Sequence, residues 1–436
     1  MQCTLLIRGD ARNNQVLSSG FDQQTARTRC FYRIDAGQKV EKIEMAYIGL
    51  LTWSDDFGPG AFSGSPYSIQ CALQRLGHDL VNIEAGPTRL PESTPRSRRA
   101  FQRIPPAAQR VIKGIVGPIS HRRSRTLNRL RRAAAAADRN IDRLSPELVV
   151  GVKSSQIIGL LKTTRPILYI SDATAAYLLP QYQGERWKGR GYRKVQYELE
   201  SLALQRADHT MLYFQRLVDS AINDHGAAPE RVSTNYPGSN LIAAKWSSMD
   251  RPLPSRDRLN LLIVASDPIR KRLQFAVEVI EILQARGWNA RGRYIGPEHP
   301  AASNSPYIDS LGRLRLDDPA DRAIHTKALE ASHVNLLPST GDMMPLSVQE
   351  AGSFGVPSIV TDVGGLPESI SDRETGRVLC LARTPEEWAE AVEWCVEDSI
   401  RYQKLSRQTS ERAHTVFTWD AWAERASPVI EGLIRR

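Results

Sequence analysis

The chain reads as an α/β protein built from two Rossmann-like, doubly wound lobes that face each other across a cleft. Three observations predict this. Short apolar runs alternate with helical segments along the sequence, the pattern of parallel strands covered on both faces. The pattern halts at a polar stretch, residues 244–258, that carries Pro252 and Pro254, and then restarts. At 436 residues the chain also exceeds what one hydrophobic core ordinarily holds.

Residues 1–43 are polar and show no sustained period, so they read as an extension of doubtful order. The first clear strand spans 45–51. A loop rich in Gly, Pro and Ser follows, then a helix over 67–76 closed by Gly77, then a strand over 78–83. Strand, glycine loop, helix and strand form a βαβ unit that opens a parallel sheet. Buried strands are expected over 148–152, 166–170 and 209–213, with a helix over 192–206. The first lobe is therefore placed at 44–243, with 89–143 as a basic helical insertion broken near Pro105 and Pro118. Beyond the linker at 244–258, strands are expected over 259–265, 289–295, 333–337 and 357–361, with helices over 272–286 and 346–354. The second lobe is placed at 259–416. The aromatic, amphipathic stretch 417–436 is a last helix.

Composition excludes several classes. Hydrophobic residues make up 41% and charged residues 24%, as in ordinary globular proteins. No apolar run approaches the roughly 20 residues of a membrane span. The amino-terminal residues lack a secretory leader's apolar core, so a cytoplasmic location is expected. The five cysteines and eight histidines show no metal-ligand spacing, and no metal site is expected. The loop running from Gly58 through Gly60 to Gly64 has the wrong glycine spacing for a dinucleotide fingerprint, which argues against a dehydrogenase.

The net charge of +10 is concentrated. Residues 89–143 hold fifteen Arg or Lys against Glu92, Asp138 and Asp142. Such a cluster favours an anionic partner, whether a membrane surface, a phosphorylated substrate or nucleic acid; a solvated helix face is the alternative. Phe101 is its one aromatic residue, which disfavours nucleic acid as a partner because single strands need stacking platforms.

The chemistry concentrates in residues 336–368. A buried strand runs into a short loop holding Asp342, and a helix then starts near Leu346 and carries Glu350. Free N–H groups and the partial positive charge of a helix start suit a diphosphate, which makes Pro345, Leu346 and Ser347 donor-binding candidates. Two nearby carboxylates can accept hydrogen bonds from sugar hydroxyls. Gly364 and Gly365 form a tight loop through which backbone can approach a ligand.

This segment resembles the donor-site signature of glycosyltransferase family 4, the retaining enzymes of GT-B fold also known as glycosyl transferases group 1. The family sets two glutamates with seven residues between them; here Asp342 and Glu350 hold that spacing, with Asp in the first place. The match runs on through Gly355-Val356-Pro357 and residues 361–368, TDVGGLPE. Segments around 198–208, 229–240 and 262–272 resemble the end of the family's first lobe and the start of its second. The resemblance covers most of residues 45–436.

The resemblance implies transfer of a sugar from a nucleotide-sugar donor to an acceptor hydroxyl with retention, without a metal or cofactor, and a last helix that crosses back to the first lobe. It implies that Lys271 grips the donor diphosphate. Ser266 falls where the family has an arginine, for which Arg270 or Arg272 stands in. Glu350 would bind the ribose and Asp342 the donor sugar. Asp172, at a first-lobe strand end, is a further catalytic candidate. Gly60, Gly64 and Gly238 complete the donor-binding candidates, with a plain turn as their other reading. The family's first-lobe histidine has no counterpart; residues 151–155, GVKSS, occupy its place. The acceptor class implied is a glycan or lipid-linked molecule, as in cell-envelope or exopolysaccharide synthesis, handled by an enzyme peripheral to the inner membrane face. Two other readings stay open: a sugar-nucleotide epimerase of the same fold, and a non-catalytic binding protein.

Overall fold

The computed structural model describes residues 5–8, 16–19, 30–34, 40–52, 64–86, 120–181, 190–243 and 253–436. Two six-stranded parallel sheets dominate it. The first contains β5 (Tyr47–Thr52), β6 (Asp79–Asn82), β7 (Leu148–Val152), β8 (Ile167–Ser171), β9 (His209–Leu212) and β10 (Val232–Thr234). Their spatial order is β10-β9-β8-β7-β5-β6, so the winding reverses between β5 and β7. The second contains β11 (Leu259–Val264), β12 (Ala290–Ile295), β13 (Ile308–Ser310), β14 (Val334–Leu337), β15 (Ser358–Thr361) and β16 (Gly376–Leu379). Its order, β13-β12-β11-β14-β15-β16, reverses between β11 and β14. Open α/β sheets bind ligands beyond the carboxyl ends of their strands at such reversals. The topology alone thus marks residues after β5, β7, β11 and β14.

β7 and β8 are buried along their whole length, which is why they read as continuous apolar runs. Helix α1 (Ser65–Arg75) follows the first loop, and α2 (Ser120–Leu144) is the last part of the basic insertion. The rest of that insertion, 89–119, lies outside the described residues, and so do the breaks expected near Pro105 and Pro118.

Residues 1–43, expected to carry no clear element, include most of a four-stranded antiparallel meander: β1 (Leu5–Arg8), β2 (Val16–Ser19), β3 (Cys30–Ile34) and β4 (Val40–Glu44). Phe31 pairs with Ile43 and Leu17 with Tyr32. Strands of four or five residues hold too few alternations for a period to stand out. The same brevity hid β10, β13 and β16.

The last helix, α3 (Trp419–Ile434), returns to the first lobe. Its Trp422 and Ile430 are fully buried in the same cluster as β5, β7 and β8. Arg425 fixes the crossing by donating to Asn235 Oδ1 and to the Tyr236 carbonyl, both at 2.9 Å. Gly238 makes this approach possible, because a Cβ there would stand 2.3 Å from the Trp419 nitrogen. The second lobe keeps its own core around Val279, Ile359 and Trp388. Met343 and Met344, from the loop after β14, insert into the first-lobe cluster and join the two halves.

Candidate active site

A cavity of about 840 Å³ lies between the lobes, at the carboxyl ends of both sheets. Each sheet contributes one wall. On the second-lobe wall, Ser266 follows β11 and leads to Arg270 and Lys271. Asp267 tightens this turn: its carboxylate accepts from the Arg270 nitrogen at 3.1 Å and its carbonyl from the Lys271 nitrogen at 3.0 Å. Helix α4 (Leu273–Ala285) begins immediately afterwards.

Asp342, in the loop after β14, receives both cations. Its Oδ2 lies 3.1 Å from Arg270 Nη1 and 3.2 Å from Lys271 Nζ. These contacts are electrostatic rather than aligned hydrogen bonds, so Oδ2 keeps acceptor capacity. Arg270 Nη1 also donates to the Gly341 carbonyl. Lys271 and Asp342 are both buried.

Helix α5 (Leu346–Ser353) starts at the cavity with Pro345 as its cap residue and no side-chain cap. Its first N–H groups are therefore available to a ligand. Pro345, Leu346, Ser347 and Glu350 all line the cavity. Burial raises the Glu350 carboxyl to about 7, against the opposing pull of Lys271 and Arg322. His325 lines the same wall; burial lowers its ring to about 4, and its Nε2 has no hydrogen-bond partner among the described residues.

On the first-lobe wall, three polar groups stand one residue past the ends of adjacent strands: Lys153 after β7, Asp172 after β8 and Tyr213 after β9. Lys153 Nζ donates to Asp172 Oδ2 at 2.7 Å. Gly64, at φ 80°, caps the start of α1 and borders the cavity. Asn240 closes one end, accepting from Ser68 Oγ at 2.8 Å and Trp419 Nε1 at 2.9 Å.

Residues 258–398 match the family model described as Glycosyl transferases group 1. The match lies within the second lobe. The D-inositol 3-phosphate glycosyltransferase of Corynebacterium glutamicum (strain R) is 25% identical over 252 residues, which are 54% of this chain and 60% of that protein. The chain spans no more than about 60% of the length of the first curated relatives it matches. Among solved structures, sucrose-phosphate synthase from Thermosynechococcus elongatus superposes with TM-score 0.63 at 16% identity, covering 89% of this chain and 99% of that one. Anabaena HepE in complex with UDP-glucose superposes with TM-score 0.58 at 13% identity, covering 89% and 100%. The fold is the two-lobed GT-B architecture.

The structure thus brings Asp342, Glu350, Lys271, Arg270, Asp172, Gly64, Pro345, Leu346 and Ser347 to one cavity. Two candidates point elsewhere. The Arg272 guanidinium lies over the Phe275 ring at 3.8 Å, outside the lining, because a left-handed backbone at φ 51° turns it away from Lys271. Gly238 serves the helix crossing and does not line the cavity. Gly58 and Gly60 lie outside the described residues. The pair Gly364 and Gly365, expected to face a ligand, instead supports the Asp342 loop. A Cβ on Gly364 would fall 1.5 Å from the Asp342 carbonyl oxygen, and the Gly365 nitrogen donates to the Met343 carbonyl at 2.6 Å. Sequence reasoning missed Lys153, Tyr213 and His325. Only Lys153 left a signal, as the cation in the segment that stands where the family has its histidine.

Proposed function

We propose that the protein transfers a sugar from a nucleoside diphosphate sugar to an acceptor hydroxyl, retaining the anomeric configuration and needing no metal. One observation carries the reading: Lys271, Arg270, Asp342, Glu350 and an uncapped helix start converge on one interlobe cavity. In this reading Lys271, Arg270 and the first N–H groups of α5 take the charge that develops on the leaving diphosphate. Glu350 accepts from the ribose hydroxyls. Asp342 turns its acceptor capacity to the donor sugar. It is one methylene shorter than the family's glutamate and is held back by two cations, so its reach into the sugar subsite is shorter. The relatives' name makes a phosphorylated cyclitol the first acceptor to try, and the UDP-glucose complex of a structural neighbour makes uridine the first base. An epimerase would instead turn over donor without acceptor.

The test is thermal stabilisation by UDP, GDP and ADP, followed by affinity measurements on Lys271→Ala and Glu350→Ala. One of the three nucleotides should raise the melting temperature by mass action. Loss of a charge-assisted bond to phosphate should weaken binding roughly 10- to 100-fold in Lys271→Ala. Glu350→Ala should weaken nucleotide but leave pyrophosphate binding intact. Transfer should persist in excess chelator, and the product anomer should match the donor's. Absence of any nucleotide response, or full activity in both variants, would overturn the reading.

A second surface joins this proposal. In α2, Leu130, Ala133, Ala134, Ala137 and Ile141 are buried while Arg131, Arg132, Arg139 and Arg143 are exposed. We assign the basic face to peripheral docking on anionic lipid, which suits a lipid-linked acceptor.

A further inference from the structure

We propose that Asp342 is an exchangeable counter-ion of the donor site: its carboxylate and the donor's diphosphate compete for Arg270 and Lys271, and the diphosphate's arrival frees the carboxylate for the sugar. The inference rests on the donor reading above and gives that reading an order of events.

The geometry is an ion cluster of three members. Asp342 Oδ2 lies 3.1 Å from Arg270 Nη1 and 3.2 Å from Lys271 Nζ, and none of the three side chains is more than 15% exposed. Two further carboxylates bear on these cations singly. Asp267 Oδ2 is 3.5 Å from Arg270 Nε, and Lys271 draws on the Glu350 carboxyl. Elsewhere on the cavity lining, Arg75, Lys153 and Arg315 pair with carboxylates of their own, Asp420, Asp172 and Asp317. Among the described residues, Asp342 is thus the one lining carboxylate that joins two cations.

Asp342 fills this place poorly. Burial strips a carboxylate of water, and only well-aligned hydrogen bonds offset that loss. Oδ2 makes none among the described residues. A single carboxylate also leaves the two cations with a surplus positive charge, which the two negative charges of a diphosphate neutralise. Phosphate oxygens can take the two cations separately, through charge-assisted bonds of good geometry. The backbone lets the carboxylate leave alone. The Thr340 nitrogen donates to the Arg270 carbonyl at 2.9 Å, the Thr340 hydroxyl donates to it at 3.1 Å, and Arg270 Nη1 donates to the Gly341 carbonyl. On the other side, the Asp342 carbonyl packs against Gly364, where a Cβ would fall 1.5 Å away. These contacts hold the two loops together without the Asp342 carboxylate, so rotation of its side chain suffices for the exchange. The sugar is bonded to the diphosphate, so its hydroxyls arrive as the carboxylate is freed. A nucleoside diphosphate without a sugar claims the cations and offers no hydroxyl in return.

The probe is inorganic pyrophosphate, titrated into the full chain by calorimetry. Asp342→Asn keeps the shape of the side chain and removes the competing charge. It should bind pyrophosphate about tenfold tighter than the wild type, the scale of one charge-assisted contact no longer contested. Transfer by the variant should fall, because the sugar loses its carboxylate, while the nucleoside diphosphate product should inhibit it at lower concentration. Asp317→Asn is the control for charge alone. It removes a lining carboxylate that pairs with Arg315 instead, and it should change pyrophosphate affinity less than twofold. Weaker or unchanged binding in Asp342→Asn means that the carboxylate only positions the cations, and that result overturns the proposal. An equal gain in Asp317→Asn overturns it too, since a general field then accounts for the effect. Should Asp342→Asn fold poorly, pyrophosphate should bring its melting temperature back toward that of the wild type, because the anion replaces the lost partner. Failure of that rescue also counts against the exchange. Lys271→Ala separates this inference from the reading beneath it. Loss of pyrophosphate binding in that variant keeps the donor reading, whatever Asp342→Asn does. Pyrophosphate that binds neither the wild type nor Asp342→Asn overturns both.

Discussion

At the scale of single residues, the first lobe buries groups that folding alone would not favour. Glu200 shows the cost most simply. It is buried behind the first-lobe wall and accepts from the Tyr169 hydroxyl at 3.0 Å. Burial lifts its carboxyl from 4.5 to about 7, with the Asp172 charge adding to the rise and Ser155 and Tyr169 opposing it. Between those values the folded chain holds a proton that the unfolded chain has released. The stabilising contribution is complete below about 4.5 and is lost as pH rises through about 7. Glu200→Gln mimics the protonated carboxyl at every pH. The two proteins should therefore match in denaturant titrations at low pH, with the variant gaining on the wild type as pH rises, by at most about 3 kcal/mol. His325, lowered to about 4 by burial, acts in the opposite direction but equally in both proteins, so the comparison cancels it. A stability gap that does not change with pH would refute this account.

Motif recognition at this scale located residues more surely than it oriented them. The spacing from Asp342 to Glu350 brings both carboxylates to one cavity because one loop and one helix turn connect them. Neighbours in sequence then diverged. Lys271 and Arg272 are adjacent, yet one enters the cavity and the other lies over Phe275, since a left-handed φ at Arg272 is invisible in a string of letters. Gly364 was legible as a required glycine, but its reason was not: the close neighbour is the Asp342 carbonyl rather than a ligand.

Whole elements were legible in proportion to their length and burial. β7 appears in the sequence at its structural bounds, and the helices after β11 and β14 begin and end within one or two residues of expectation. Three-residue strands such as β10 and β13 pair at sheet edges and leave no period. Helix α2 is a case where composition spoke first and structure then sorted it. Ala133, Ala134, Ala137 and Ile141 enter the first-lobe core, so Arg131, Arg132, Arg139 and Arg143 are gathered on the outward face. Charge reversal of Arg131, Arg132, Arg139 and Arg143 to Glu should abolish binding to vesicles containing anionic lipid while leaving the melting temperature nearly unchanged, because exposed charges contribute little to stability. Binding to neutral vesicles should be weak for both proteins. Reversed protein that still sediments with anionic vesicles as the wild type does would remove this helix from the docking surface.

Across the whole molecule, the segment 361–368 does work that its family resemblance did not disclose. Asp362 forms an ion pair with Arg216 at 2.8 Å, linking second lobe to first. Glu368 reaches further: its carboxylate accepts from the Gln215 nitrogen at 2.8 and 2.9 Å and from the Tyr236 hydroxyl at 3.1 Å. Gln215 opens the helix Gln215–Asn223, whose own cap residue, Phe214, offers no side-chain acceptor. A first-lobe helix is thus capped from the second lobe, and the cap exists only while the lobes are docked. Gly365 allows that approach, since a Cβ there would meet the Phe214 ring at 2.6 Å. Glu368→Ala should cost roughly 0.5–2 kcal/mol, the usual value of an N-cap. It should also speed amide hydrogen exchange at Gln215 and the next residues of that helix, leaving the helices of the second-lobe core unaffected. Arg216→Ala should give a smaller effect, because that pair is half exposed. Unchanged exchange at Gln215 in Glu368→Ala would show that the lobes are held by Met343, Met344 and the crossing helix without this cap. Faster exchange would mean that the loop carrying Asp342, buttressed by the same glycines, is positioned by the docking of the two lobes as well as by its own sheet.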